Sequence, residues 1–157
     1  MKKVVQSSEL VGSQVKKDKA TKVAVLVINN GLDLKEWEKL NTAAHLGASL
    51  GAHVGNSLLM HSKILSKDGD SINLNIKHAI MLKKSNNSND LFDLAKTAKT
   101  AGFEVEEFTR EMISTTNDKK VLEQTLLKDS KEIERLGVLV FGTKDVVERM
   151  TEKFEKV

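Results

Sequence analysis

The sequence has no cysteine and no proline. Without cysteine there are no disulfides, no thiolate metal ligands and no cysteine nucleophile. Without proline the turns depend on Gly, Asn and Asp. There is no long apolar run: the longest, Val23 to Ile28, is far short of the roughly 20 residues a membrane span needs, so no membrane partner is expected. Residues 1–12 carry lysines but no apolar stretch of signal-peptide length, which argues for a cytoplasmic location rather than secretion. What is there is globular in composition, 157 residues with 39% hydrophobic and 30% charged side chains. A chain of that length forms one domain that buries roughly 70% of its unfolded surface.

The formal net charge of +3 is unevenly placed. Residues 1–22 hold six lysines against Glu9 and Asp18, a net of +4, and the remaining 19 basic and 20 acidic side chains leave a net of −1. The expected organisation is therefore a basic N-terminal arm over residues 1–21, read as a disordered solubilising tail, and one α/β domain over 22–157. A domain of net −1 is not expected to hold tRNA strongly, because such binding rests on Lys and Arg contacts to phosphates.

Lys22 to Asn29 (KVAVLVIN) reads as a strand buried on both faces, as in a covered parallel sheet. Asp33 with Glu36 three residues on reads as a capping arrangement for a helix from about Leu34 to Leu50, with Gly51 after its end. Short strands are expected around the Asp68-Gly69-Asp70 turn, and a further strand over His78 to Lys83. Leu91, Leu94, Ala95 and Ala98 form a helical stripe ended by Gly102. An exposed strand follows near Phe103 to Glu107, then a short helix near Asp118 to Leu127 and a strand over Leu136 to Gly142. Thr143 is placed to cap a last helix with the stripe Val146, Val147, Met150 and Phe154. This order implies a three-layer α/β/α sandwich around a mixed, mostly parallel sheet of four or five strands.

The first helix is the informative element. Trp37, Asn41, Ala44, His45 and Ala48 fall within about 100° of arc, which marks them as its buried face. Ala43, Gly47 and Gly51 would let the helix sit close on the sheet. Asn41 and His45 are one turn apart on that stripe, so they are expected to share one hydrogen-bond network on the sheet side, bordering the main pocket. Glu38 leans to the same edge, and Trp37 is either a core anchor or a pocket wall.

The string KVAVLVINNGLDLKEWEKLNTAAHLGASLGA, with Leu40, Asn41, Ala43, Ala44, His45 and Leu46 as L-N-x-A-A-H-L, resembles the opening strand and helix of the peptidyl-tRNA hydrolase type II superfamily. It looks closest to a branch known only as a domain of unknown function. The stretches at 90–109 and 136–151 fit the same superfamily. The resemblance implies a peptidyl-tRNA hydrolase type II-like fold, frequent homodimers, and a site collecting a lysine, an aspartate and a threonine. Aligned on His45, the lysine region reads Leu34 to Glu38, so Lys35 fits only with a shift of register. The aspartate position reads Phe108-Thr109-Arg110-Glu111, leaving Glu111 the nearest acid, and Thr115 or Thr116 stand for the threonine.

Two functions are expected from these residues. The first is binding of a small polar ligand or partner beside the first helix, with Trp37, Glu38, Thr109, Gly142 and Thr143 as ligand contacts. The second is a hydrolase acting on an ester or amide such as peptidyl-tRNA, with His45 as base or orienter and Asn41, Lys35, Glu111 and Thr115 assisting. No metal or other cofactor is expected, since His45, His53 and His61 recur every eight residues rather than at ligand spacing. Gly47-Ala48-Ser49-Leu50-Gly51 spells a nucleophile elbow, but inside a helix rather than at the strand-to-helix turn that motif needs. Gly142-Thr143 could receive an anion or be a plain helix cap. A homodimer would use the strand edge near residues 103–108.

Overall fold

The computed structural model describes residues 21–55, 58, 62–74 and 77–157. The expected basic arm lies outside these residues except for Thr21, as does His61. β1 (Lys22–Asn29) is the continuous β-branched run, and every residue after Lys22 is buried. Its alternate side chains feed two cores. Val23, Val25 and Val27 pack with Leu91, Leu94, Ala95 and Ala98 of α2 (Ser88–Thr100) and Val147 of α5 (Lys144–Met150). Ala24, Leu26 and Ile28 pack with Leu46 and Leu50 of α1 (Glu36–Val54). Helices therefore cover both faces of the sheet, as a strand without a polar alternation requires.

The sheet has five strands in the order β5-β6-β1-β4-β7, where β4 is Ala79–Ser85, β5 Glu104–Thr109, β6 Arg135–Thr143 and β7 Glu155–Lys156. Only β1 and β4 run parallel; β1–β6, β5–β6 and β4–β7 are antiparallel. The expectation of a mostly parallel sheet is thus corrected. An apolar run reports that both faces are covered, and the direction of the neighbouring strand leaves no mark on it. A separate hairpin, β2 (Ser62–Leu65) with β3 (Ser71–Leu74), turns at the Asp68-Gly69-Asp70 segment. No helix among the described residues is long and apolar enough to cross a membrane.

α1 departs most from its expected form. Its N-cap position is Lys35, not Asp33, because the Lys35 backbone N–H donates to Glu38 Oε2 at 2.8 Å. This is the backbone half of a capping box and needs no N-cap hydroxyl. The helix also runs through Gly51 to Val54. Its buried residues are Thr42, Leu46 and Leu50, while Trp37 is 55% exposed and Ala44, His45 and Ala48 are exposed. The buried and expected stripes lie about 160° apart around the helix axis. Close approach to the sheet comes from the strand side. A Cβ on Gly137 of β6 would stand 2.8 Å from Thr42 Cγ2 and 3.0 Å from Leu46 Cδ1, whereas one on Gly47 or Gly51 would meet nothing within 4 Å.

At the C-terminus, Thr143 makes no side-chain cap bond and α5 stops at Met150. Phe154 is nevertheless buried, beyond the helix that its stripe implied. α3 (Arg110–Ser114) and α4 (Asp118–Leu126) form an excursion between β5 and β6, and α4 buries none of its residues.

Candidate functional site

On the α1 side, alternation along β5 sends Glu106 and Phe108 inward, and both are buried. A buried carboxylate must find donors. Glu106 finds two, one turn apart on α1: Ser49 Oγ donates to Oε2 at 2.5 Å, and His53 Nδ1 pairs with Oε1. The His53 ring remains 60% exposed. The hydrogen bond to Glu106, then the charge of Glu106, hold the His53 pKa above its ordinary value of 6.5, with Glu104 adding to the effect and burial opposing it. His53 stands on the wall of a cavity of about 410 Å³, with Lys22, Val54, Phe103, Glu104, Phe141, Gly142 and Thr143 around it. Gly142 admits the Phe103 ring, since a Cβ there would fall 2.3 Å from Phe103 Cδ1.

Nearer the start of α1, the His45 ring stacks on Phe108, centroids 4.9 Å apart and planes at 9°. The pair walls a larger cavity of about 650 Å³ beneath α3 and α4, completed by Met112, Thr115, Thr116, Asp118, Val121, Leu122 and Thr125. Ion pairs tie this excursion down. Arg110 bonds Glu38 Oε1 at 2.9 Å and Glu134 Oε1 at 2.6 Å, and Lys128 bonds Glu111. Burial pushes the Glu111 carboxyl up, but the Lys128 bond and charge outweigh it and hold the group below its ordinary range.

The residues singled out in the sequence are dispersed over these features. His45 and Thr115 line the larger cavity, and Gly142 and Thr143 the smaller. Lys35, Trp37, Glu38, Asn41, Thr109 and Glu111 line neither. Trp37 and Lys35 are exposed, and Asn41 is half-buried. The network expected between Asn41 and His45 is not formed: that stripe faces away from the sheet, and the His45 ring stacks on Phe108 instead. Glu38 caps α1 and pairs with Arg110. Thr109 and Glu111 are both buried, and the Thr109 hydroxyl lies beside the Glu111 carboxylate and helps to hold its pKa down.

The Ser49–Glu106–His53 cluster was missed. The signal that finds it is the one applied to Asn41 and His45, a polar pair at i and i+4, read on the stripe of Leu46 and Leu50 instead. Ser49 lies within α1 and donates directly to a carboxylate, so its G-x-S-x-G surroundings form no elbow. Among the described residues no group of three or more His, Asp or Glu side chains is arranged to hold a metal.

The chain matches, over residues 21–156, a family described as protein of unknown function (DUF2000). No curated protein matches it. A solved structure, that of the protein of unknown function Atu0240 from Agrobacterium tumefaciens strain C58, is similar at 15% identity and a TM-score of 0.74, over 87% of this chain and 97% of that one. Likeness at that identity speaks for the α/β fold alone, and neither finding ties the chain to peptidyl-tRNA hydrolases.

Proposed function

We propose that this chain, which belongs to the DUF2000 family of unknown function, binds a small polar ligand in the cavity between α1 and the α3–α4 excursion. The observation that carries the reading is the stacked His45–Phe108 pair on the wall of that cavity. An exposed imidazole fixed flat on a buried ring is a ready platform for a further planar group. The hydroxyls of Thr115, Thr116 and Thr125 and the Asp118 carboxylate supply hydrogen-bonding partners around it. α4 buries none of its residues, so a ligand would add the contact its Val121 and Leu122 lack.

A thermal-shift screen of nucleosides, nucleotides, amino acids and aminoacyl esters tests this on wild type, His45→Ala and His53→Ala. The expected result is a ligand-induced rise in melting temperature that His45→Ala abolishes and His53→Ala keeps. No rise with any compound, or no rise that His45→Ala abolishes, would overturn it; a rise lost in His53→Ala and kept in His45→Ala belongs to the smaller cavity instead. Without ligand, His45→Ala forfeits only the ring stacking, about 0.5–1.5 kcal/mol.

The second reading is hydrolysis of an ester or amide such as peptidyl-tRNA, on a fold of the peptidyl-tRNA hydrolase type II kind. It draws on the L-N-x-A-A-H-L resemblance and on His45 and Thr115 lining one cavity. Lys35, Asn41 and Glu111 lie outside that lining, which favours binding over catalysis. Release of the acid from an aminoacyl ester above the buffer rate, lost in His45→Ala, would reverse the preference. Two copies would pair through β5, which is an edge strand of the sheet among the described residues. Light scattering at twice the monomer mass is the outcome the homodimer requires.

A further inference from the structure

The smaller cavity carries a separate inference, independent of the ligand proposed for the larger one. His53 Nδ1 is committed to the buried Glu106, so Nε2 is the ring position left for anything that enters. With Glu106 ionised the shared proton sits on Nδ1, and Nε2 carries a proton only while the ring is an imidazolium. Lys22 stands on the same wall, its Nζ 5.4 Å from the Phe141 ring centroid, with no carboxylate partner among the described residues. Glu104 supplies the one acidic side chain of the lining. While the ring is an imidazolium the His53–Glu106 pair is neutral as a unit, and Lys22 and Glu104 cancel. The cavity is thus electrically balanced, with separated donor and acceptor poles, and Phe103, Phe141 and Val54 add apolar wall.

A simple anion would leave Glu104 opposed, and a simple cation would leave Lys22 and His53 opposed. A molecule bearing both charges satisfies all three. We propose that this cavity binds a free amino acid, its carboxylate received by Lys22 and His53 Nε2–H and its ammonium by Glu104. Because Nε2 donates only from the imidazolium, binding weakens as the medium becomes alkaline. Glu106 and Glu104 of β5 act on His53, Lys22 of β1 lines the same cavity, and Ser49 on the same helix bonds the same carboxylate.

The test is calorimetric titration of the full chain, at about pH 6, with each proteinogenic amino acid, its N-acetyl derivative and its amide. At least one amino acid is expected to bind, and blocking either end should weaken it by about 10-fold or more. Glu104→Gln should remove the difference between that amino acid and its N-acetyl form, and Lys22→Ala the difference from the amide. Both residues are exposed, so these variants keep the fold. Affinity should fall on going to about pH 8. The proposal fails if no amino acid binds, if the blocked derivatives bind as well as the parent, or if His53→Ala leaves binding unchanged.

Discussion

The two faces of the sheet are covered by helices of different character. On the α2–α5 face, Leu91, Ala98 and Val147 are fully buried and the helical stripe is apolar throughout. On the α1 face the sheet-side stripe interleaves Leu46 and Leu50 with Thr42, Ser49 and His53, and a buried glutamate answers two of them. Both cavities with candidate chemistry have a wall on α1. An apolar stripe can close on a sheet by dispersion and water exclusion alone. A stripe that carries polar groups must bring partners for them, and the groups left half-satisfied at its margins are available to ligands.

The sharpest way to break this comparison is to remove packing from the sealed face and from the excursion that borders the larger cavity beside α1. Leu91→Ala, on the sealed face, is expected to destabilise by about 2–5 kcal/mol in chemical denaturation. Leu122→Ala on α4, where the side chain is 59% exposed, should stay within about 0.5 kcal/mol. Equal costs would mean that the α2 face is no better packed than the excursion. A smaller effect separates the two partners of the α1 contact. Gly137→Ala places a methyl 2.8 Å from Thr42 Cγ2 and should cost about 1–3 kcal/mol. Gly47→Ala, where a Cβ meets nothing, should stabilise by about 0.5–1 kcal/mol through helix propensity. The reverse order would return the close approach to the helix, where the small residues had suggested it.

The same contrast explains what the sequence disclosed. α2 was legible because its i, i+3, i+4, i+7 positions are all apolar, so only one rotation about the axis buries them. α1 carries Ala, Gly, Leu and Trp all round, and two stripes compete. The aromatic and the longest run of small residues point to one; Thr42, Leu46 and Leu50 occupy the other. What decides between them is Gly137, far along the chain, whose missing side chain receives Thr42 and Leu46. No local pattern reports such a contact. The strands were found within a few residues, but their mostly antiparallel order was not, since face coverage and strand direction are separate properties. The two-residue β7 is too short for any period. Of the candidate site, His45 and Thr115 fell on one cavity, while the Ser49–Glu106–His53 cluster needed the correct rotation of α1 before β5 could be set against it.

The smallest expected effects concern protons, and here the two faces should differ in sign. On the α2 side, Glu107 pairs with Arg135 at 2.5 Å and with Lys99. Burial pushes its carboxyl up, but those two cations prevail and hold its pKa below the ordinary 4.5. A depressed carboxylate stabilises the fold above 4.5, and that contribution is lost as pH falls through the folded-state value. On the α1 side, the His53 pKa is raised above 6.5 by Glu106, so its contribution is complete below 6.5 and is lost as pH rises through the folded-state value. Melting temperatures of wild type, Glu107→Gln and His53→Gln across pH check both signs. The gap between wild type and Glu107→Gln should close on acidification, and the gap to His53→Gln on alkalinisation. The His53 gap should be the narrower, because an exposed imidazole is screened by water and salt. Gaps that close in the same direction would mean that His53 and Glu106 are not an ion pair in solution, and the donor assigned to Nε2 would go with it.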